Sequence, residues 1–178
     1  MKYYKQINID NFEIIQQKTL SFIIKMGHLD RMGFHWLQWE EYVEWCPEIL
    51  TAFSKFNINP IGAATISTRS IVNAKVHVDT STGPTIKQCR INLPILNCEG
   101  SRTEFYTGGE YNIAYTLGNN PFMVLKEDSA PTKVDELELT TPTVLRVLEP
   151  HRVIVNMERI PRISLSVDTD IDPLFLLT

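Results

Sequence analysis

Among the four histidines of this 178-residue chain, one stands two positions from a carboxylate, in His77-Val78-Asp79. The run that leads into it, Ile71 to Val76, reads as a strand. In a strand, residues i and i+2 leave the same face, so His77 and Asp79 are expected to project together. A neutral imidazole beside a carboxylate supplies two-thirds of a facial triad, the ligand set that holds Fe(II) and leaves it open positions. The pair alone is weak evidence, because 21 acidic residues offer such spacings by chance. The third ligand has to come from a distant strand that closes over the first. His28 and His35 fall in a segment that reads helical, whereas His151 opens a late strand, Arg152 to Met157.

Arg162 raises the weight of the pattern. It opens the strand that follows His151, in Arg162-Ile163-Ser164, and by the period of two Arg162 and Ser164 share a face. A guanidinium fork with a hydroxyl beside it suits the end of a carboxylate, because the fork donates two parallel hydrogen bonds. A metal triad and a carboxylate grip in one chain are more specific than either part.

Strands must position these residues, and from Pro60 onward the sequence supplies them. Short β-rich runs cover 61–67, 71–79, 88–96, 103–107, 111–117, 121–126, 134–139, 142–148, 151–157 and 162–168. Gly83-Pro84, Gly100, Gly108-Gly109, Gly118-Asn119-Asn120, Pro131, Pro142 and Pro161 punctuate them. Many short strands with no helical pattern between them point to a jelly roll or sandwich, and away from a parallel α/β fold. The first third reads helical. Asp10 with Glu13 forms an expected capping box, Phe12, Ile15, Leu20, Ile23 and Ile24 an apolar face, and Gly27 a stop. A second helical stretch runs from about Gln38 to Phe56, with Pro47 starting its own segment. Trp36, Trp39, Trp45 and Phe53 are expected to pack it onto the sheet as buried core. The expected organisation is one domain: residues 1–57 as a helical buttress and 58–170 as the β core.

Bulk properties narrow the function classes. Apolar residues make up 43% and charged residues 21%, ordinary values for a globular protein. A net charge of −4 gives no general attraction to nucleic acid or an anionic membrane. No apolar run is long enough to cross a bilayer, and the N-terminus does not read as a signal peptide. The three cysteines, Cys46, Cys89 and Cys98, have no metal-binding spacing and fit core positions in a reducing cytoplasm. Arg102, Thr103, Tyr106 and Tyr111 are candidates to border a substrate opening, and the charged segment Lys126 to Glu138 reads as a solvated loop and edge strand. The tail Asp168 to Asp172 lacks the glycine and glutamate of a calcium loop.

Two segments resemble the Fe(II)/2-oxoglutarate-dependent oxygenases, most nearly the aspartyl/asparaginyl β-hydroxylase branch. The first runs from His77 through Gly83-Pro84-Thr85 to Arg90 and Ile95, and the second from His151 through Arg162 and Ser164 to Asp168. The resemblance implies a double-stranded β-helix (jelly roll, cupin-like) buttressed by helices. It implies His77, Asp79 and His151 as iron ligands, 2-oxoglutarate held by Arg162, Ser164 and Arg90, and O₂ as the oxidant. Its implied substrate is an amino-acid side chain in a peptide or protein, or a small molecule. One departure is informative: the aspartyl hydroxylases carry glycine where Asp79 stands, so the larger class is the better match. A cupin-like metal protein that ignores 2-oxoglutarate, and a non-catalytic jelly-roll module, are the competing readings.

Overall fold

A computed structural model describes residues 1–69, 75–79, 87–115 and 121–178. Residues 71–74 of the expected strand 71–79, residues 116 and 117 of the expected strand 111–117, and the turns at Gly83-Pro84 and Gly118-Asn119-Asn120 lie outside the described residues.

In chain order the elements are β1 (Tyr4–Gln6), α1 (Phe12–Lys25), β2 (Gly33–Trp36), α2 (Trp39–Trp45), α3 (Glu48–Thr51), a 3-10 turn at Ser54–Phe56 and β3 (Pro60–Thr68). There follow β4 (His77–Asp79), β5 (Cys89–Leu96), β6 (Arg102–Thr107), β7 (Tyr111–Tyr115), β8 (Pro121–Leu125) and β9 (Thr132–Glu138). The chain closes with β10 (Thr143–Arg146), β11 (His151–Ile154), β12 (Arg162–Thr169) and a 3-10 turn at Pro173–Leu177.

Among the described residues these strands form two antiparallel sheets. A helix-backed sheet has the order β1-β10-β5-β12-β3-β2, and a distal sheet the order β7-β8-β4-β11-β6-β9. From β3 to β6, and again from β9 to β12, the chain alternates between the two sheets. This weaving is the double-stranded β-helix. The β7–β8 hairpin extends the distal sheet beyond β4, while β1 and β2 add the two edges of the helix-backed sheet.

Alternation along β12 divides its residues between two environments. Ile163, Leu165 and Val167 join Ile91, Leu93 and Ile95 of β5 in a core shared with Ile15, Phe22 and Ile23 of α1. Buried positions at Ile15, Thr19, Phe22 and Ile23 recur at helical spacing, which is why α1 seals that face. Its C-terminus stops at Gly27 (φ 64°), where the His28 and Gly27 N–H groups bond back to the Ile23 and Ile24 carbonyls. Arg162, Ser164 and Ser166 must therefore point the other way, into the roll. A smaller apolar cluster, Phe105, Leu137, Leu139, Leu145 and Val147 with Tyr3 and Tyr4 against it, closes the roll beside β1 and β10.

Several expectations need correction. The first third is not purely helical, since β1 pairs with β10 and β2 with β3, and His35 lies on β2 rather than in a helix. The capping box does not form: the helix begins one residue later, with Asn11, at φ 57°, as an N-cap without a side-chain bond, and Asp10 pairs with Lys55. Trp36 and Trp45 are not core: they are 50% and 38% exposed, whereas Phe53 is fully buried. β2 is an edge strand, and Trp45 lies against the outside of α1, its indole N–H donating to Lys18 O. Pro47 does open its own helix, α3, and β9 is the expected edge strand.

Candidate metal centre

β4 and β11 lie side by side in the distal sheet, and their register pairs His77 directly with His151. The two imidazole rings are 4.5 Å apart, centre to centre. Asp79 follows on the same face of β4, its Oδ1 3.6 Å from His77 Nε2. One ligand atom from each of His77, Asp79 and His151 lies within 4.8 Å of the others. The three residues singled out in the sequence thus meet, although a long stretch of chain separates them.

Both rings are oriented the same way by the backbone. His77 Nδ1 is 2.9 Å from Lys75 O, and His151 Nδ1 is 2.8 Å from Glu149 O. With Nδ1–H donating to a carbonyl, the lone pair sits on Nε2, the tautomer a metal takes. His151 is buried, and this burial, with His77 beside it, pushes its pKa below the usual imidazole range. The neutral, ligating form is therefore favoured. Phe122 of β8 meets the edge of the His77 ring, and Phe105 of β6 lies beside His151, so apolar surface flanks both imidazoles. Two imidazoles and one carboxylate on one side fit Fe(II) with open positions opposite.

Arg162 lies on the inward face of the helix-backed sheet and is 3% exposed. Its Nη1 donates to Ser164 Oγ at 3.4 Å, and its buried Nε has no hydrogen-bond partner among the described residues. Among the described residues no carboxylate pairs with it. Burial pushes its pKa down from the ordinary guanidinium value. An uncompensated buried cation is costly, and a carboxylate ligand would supply both the missing charge and the missing acceptor.

Arg90 shares the inward face but does not join Arg162. It pairs at 2.9 Å with Asp168, whose Oδ1 also takes the Lys87 ammonium at 2.7 Å. Asp168 lies near the opposite end of β12 from Arg162, ~20 Å away at ~3.3 Å per residue. Arg102 and Tyr106, expected near a substrate opening, are instead engaged with Glu104, and Tyr111 donates to Gly108 O. In the tail, Asp172 accepts from the Leu174 N–H and caps the last 3-10 turn.

Glu104 was not singled out in the sequence. Its side chain is 4% exposed and accepts from Tyr106 OH at 2.5 Å, Arg152 Nε at 2.8 Å, and both Lys133 Nζ and Arg102 Nε at 3.2 Å. The only local signal is its place on a β-rich run, next to Phe105.

No protein-family model and no curated protein matches the sequence. Among solved structures, a viral collagen prolyl hydroxylase from Paramecium Bursaria Chlorella virus-1 aligns over 96% of this chain and 91% of its own, with 13% identity and a TM-score of 0.40. Among the described residues, no helix is long and apolar enough to cross a membrane.

Proposed function

We propose that this protein is an Fe(II)- and 2-oxoglutarate-dependent dioxygenase that hydroxylates an amino-acid side chain in a peptide or protein, or a small molecule. The observation that carries this reading is the buried Arg162 guanidinium, which pairs with no carboxylate among the described residues, in a roll whose other sheet brings His77, Asp79 and His151 together. A metal-binding jelly roll that ignored dicarboxylates would leave that cation without a role. Within the class, the resemblance slightly favours a peptide or protein over a small metabolite, and Asp79, where the aspartyl hydroxylases carry glycine, points to the larger class rather than to that branch.

Each group then has a defined task. His77, Asp79 and His151 hold the metal from one side, and the carbonyls of Lys75 and Glu149 fix the ring orientations. Arg162, with Ser164 beside it, receives the far carboxylate of 2-oxoglutarate through its fork. When bound, iron with 2-oxoglutarate and O₂ supplies an oxidant strong enough for an unactivated C–H bond, with succinate and CO₂ as coproducts. The surrounding sheets orient the components and limit water.

Anaerobic addition of Fe(II) and 2-oxoglutarate is expected to give a weak visible absorption that needs both components. Arg162→Ala should weaken 2-oxoglutarate binding by ~30-fold or more, the scale for removing one partner of a buried charge pair, and leave metal affinity nearly intact. His151→Ala should abolish succinate release. Metal binding indifferent to 2-oxoglutarate would favour the cupin-like reading, and succinate release retained in His151→Ala would refute the triad.

A further inference from the structure

β11 is only four residues long, and its two neighbours hold it unequally. Towards β4 the described ladder is the single pair His151↔His77, and the Asp79 N–H donates to Val147 O at 3.0 Å four residues before His151. Towards β6 it has four rungs, from His151↔Phe105 to Ile154↔Arg102. The place of the His151 imidazole is therefore set mainly from the β6 side.

That side is reinforced on both flanks of His151. The Tyr106 N–H donates to Pro150 O at 2.8 Å, immediately before it. Arg152, immediately after it, donates to Glu104 at 2.8 Å and lies over the Tyr106 ring, 5.3 Å from its centre. Glu104 and Arg152 are directly paired in the register, one step from His151↔Phe105. When His151 faces into the roll, Glu104 and Arg152 face out. An outward carboxylate on a sheet is ordinarily solvated, but Glu104 is covered by donors from three strands: Arg102 and Tyr106 of β6, Lys133 of β9 and Arg152 of β11.

We infer that Glu104 is a positioning residue for the metal centre: by clamping Arg152 from outside the sheet it holds β11 in the place that delivers His151 to His77 and Asp79. This inference rests on the metal-site reading above. Glu104 touches neither metal nor substrate, and acts through the backbone on either side of His151.

The test is Co(II) titration followed by visible absorption, which reports both affinity and ligand geometry. In Glu104→Gln we expect Co(II) affinity to fall ~10–100-fold, the usual scale for residues that orient a ligand, with an altered spectrum and an unchanged far-ultraviolet circular dichroism signal. Glu136→Gln is the control. It removes the other carboxylate paired with Arg102 and Lys133, without touching β11, and should bind Co(II) like the parent protein. Should Glu104→Gln fail to fold, Arg152→Met removes the same link from its more exposed end and should show the same loss. Parent-like affinity and spectrum in a folded Glu104→Gln or Arg152→Met would overturn the inference, as would an equal loss in Glu136→Gln. A parent protein that binds no Co(II) would instead overturn the triad itself.

Discussion

The two faces of β12 are both shut away from water, yet they are built from opposite materials. On the helix side Ile163, Leu165 and Val167 pack into the main core. On the roll side stand Arg162, Ser164 and Ser166, all buried. Apolar burial stabilises by about 25 cal/mol per Å², whereas a buried polar group without a partner costs free energy. Among the described residues the roll side leaves Arg162 Nε unpartnered, and Asn92 Oδ1 on the neighbouring strand as well. The larger core thus lies outside the roll, and the part of the interior that β12 lines is polar, with the apolar cluster around Phe105 beside it. A packed apolar interior would be more stable but would have nothing with which to grip a ligand.

The sharpest way to break this comparison is to weaken each face in turn. Leu165→Ala, at a fully buried position on the helix side, should lower unfolding free energy by ~2–5 kcal/mol in a denaturant titration. Metal binding should persist wherever the variant is folded. Arg162→Met is expected to do the reverse. It replaces an unpaired buried cation by an apolar side chain and should raise the stability of the ligand-free protein by ~1–4 kcal/mol while abolishing stabilisation by 2-oxoglutarate. If Arg162→Met proves as damaging as Leu165→Ala, the two faces are equivalent and the roll interior is ordinary core.

The same contrast explains what could be read from the sequence. HxD on one strand, a histidine opening another and RxS opening a third follow directly from the strand period of two, so the candidate ligands and Arg162 were legible. Strand positions from β3 onward were also legible, because turn residues punctuate the β-rich runs. β1 and β2 were not. Tyr4–Gln6 and Gly33–Trp36 are short edge strands whose pairing partners lie at Thr143–Leu145 and Ala64–Ser67, far along the chain. Local propensity carries little information about such strands. Asp10 failed as a cap because the helix starts one residue later, behind Asn11 in the left-handed region. Glu104 was illegible in the strongest sense. A glutamate between Thr103 and Phe105 reads as a solvent-facing strand residue, and its burial depends on Arg152 and Lys133 from other strands.

Glu104 also extends the comparison to a second kind of buried charge, one that is fully partnered where Arg162 is not. Burial raises the pKa of its carboxyl, but hydrogen bonds from Tyr106, Arg152 and Lys133 outweigh that and hold it down at about 2. An unfolded glutamate titrates near 4.5. Between these values the unfolded chain takes up a proton that the native state refuses, so native stability falls as the pH drops. The contribution is essentially complete by pH 6 and is lost progressively towards pH 2, by about 2 kcal/mol between pH 6 and pH 3, at the low end of the effect expected at Leu165. Denaturant titrations of the parent and Glu104→Gln at pH 6, 4 and 3 isolate this effect, because other carboxylates titrate alike in both. The stability gap between the two proteins should narrow on acidification. A gap that stays constant over that range would mean that Glu104 is not held as a carboxylate, and that the charge cluster behind His151 is no more than a solvated surface.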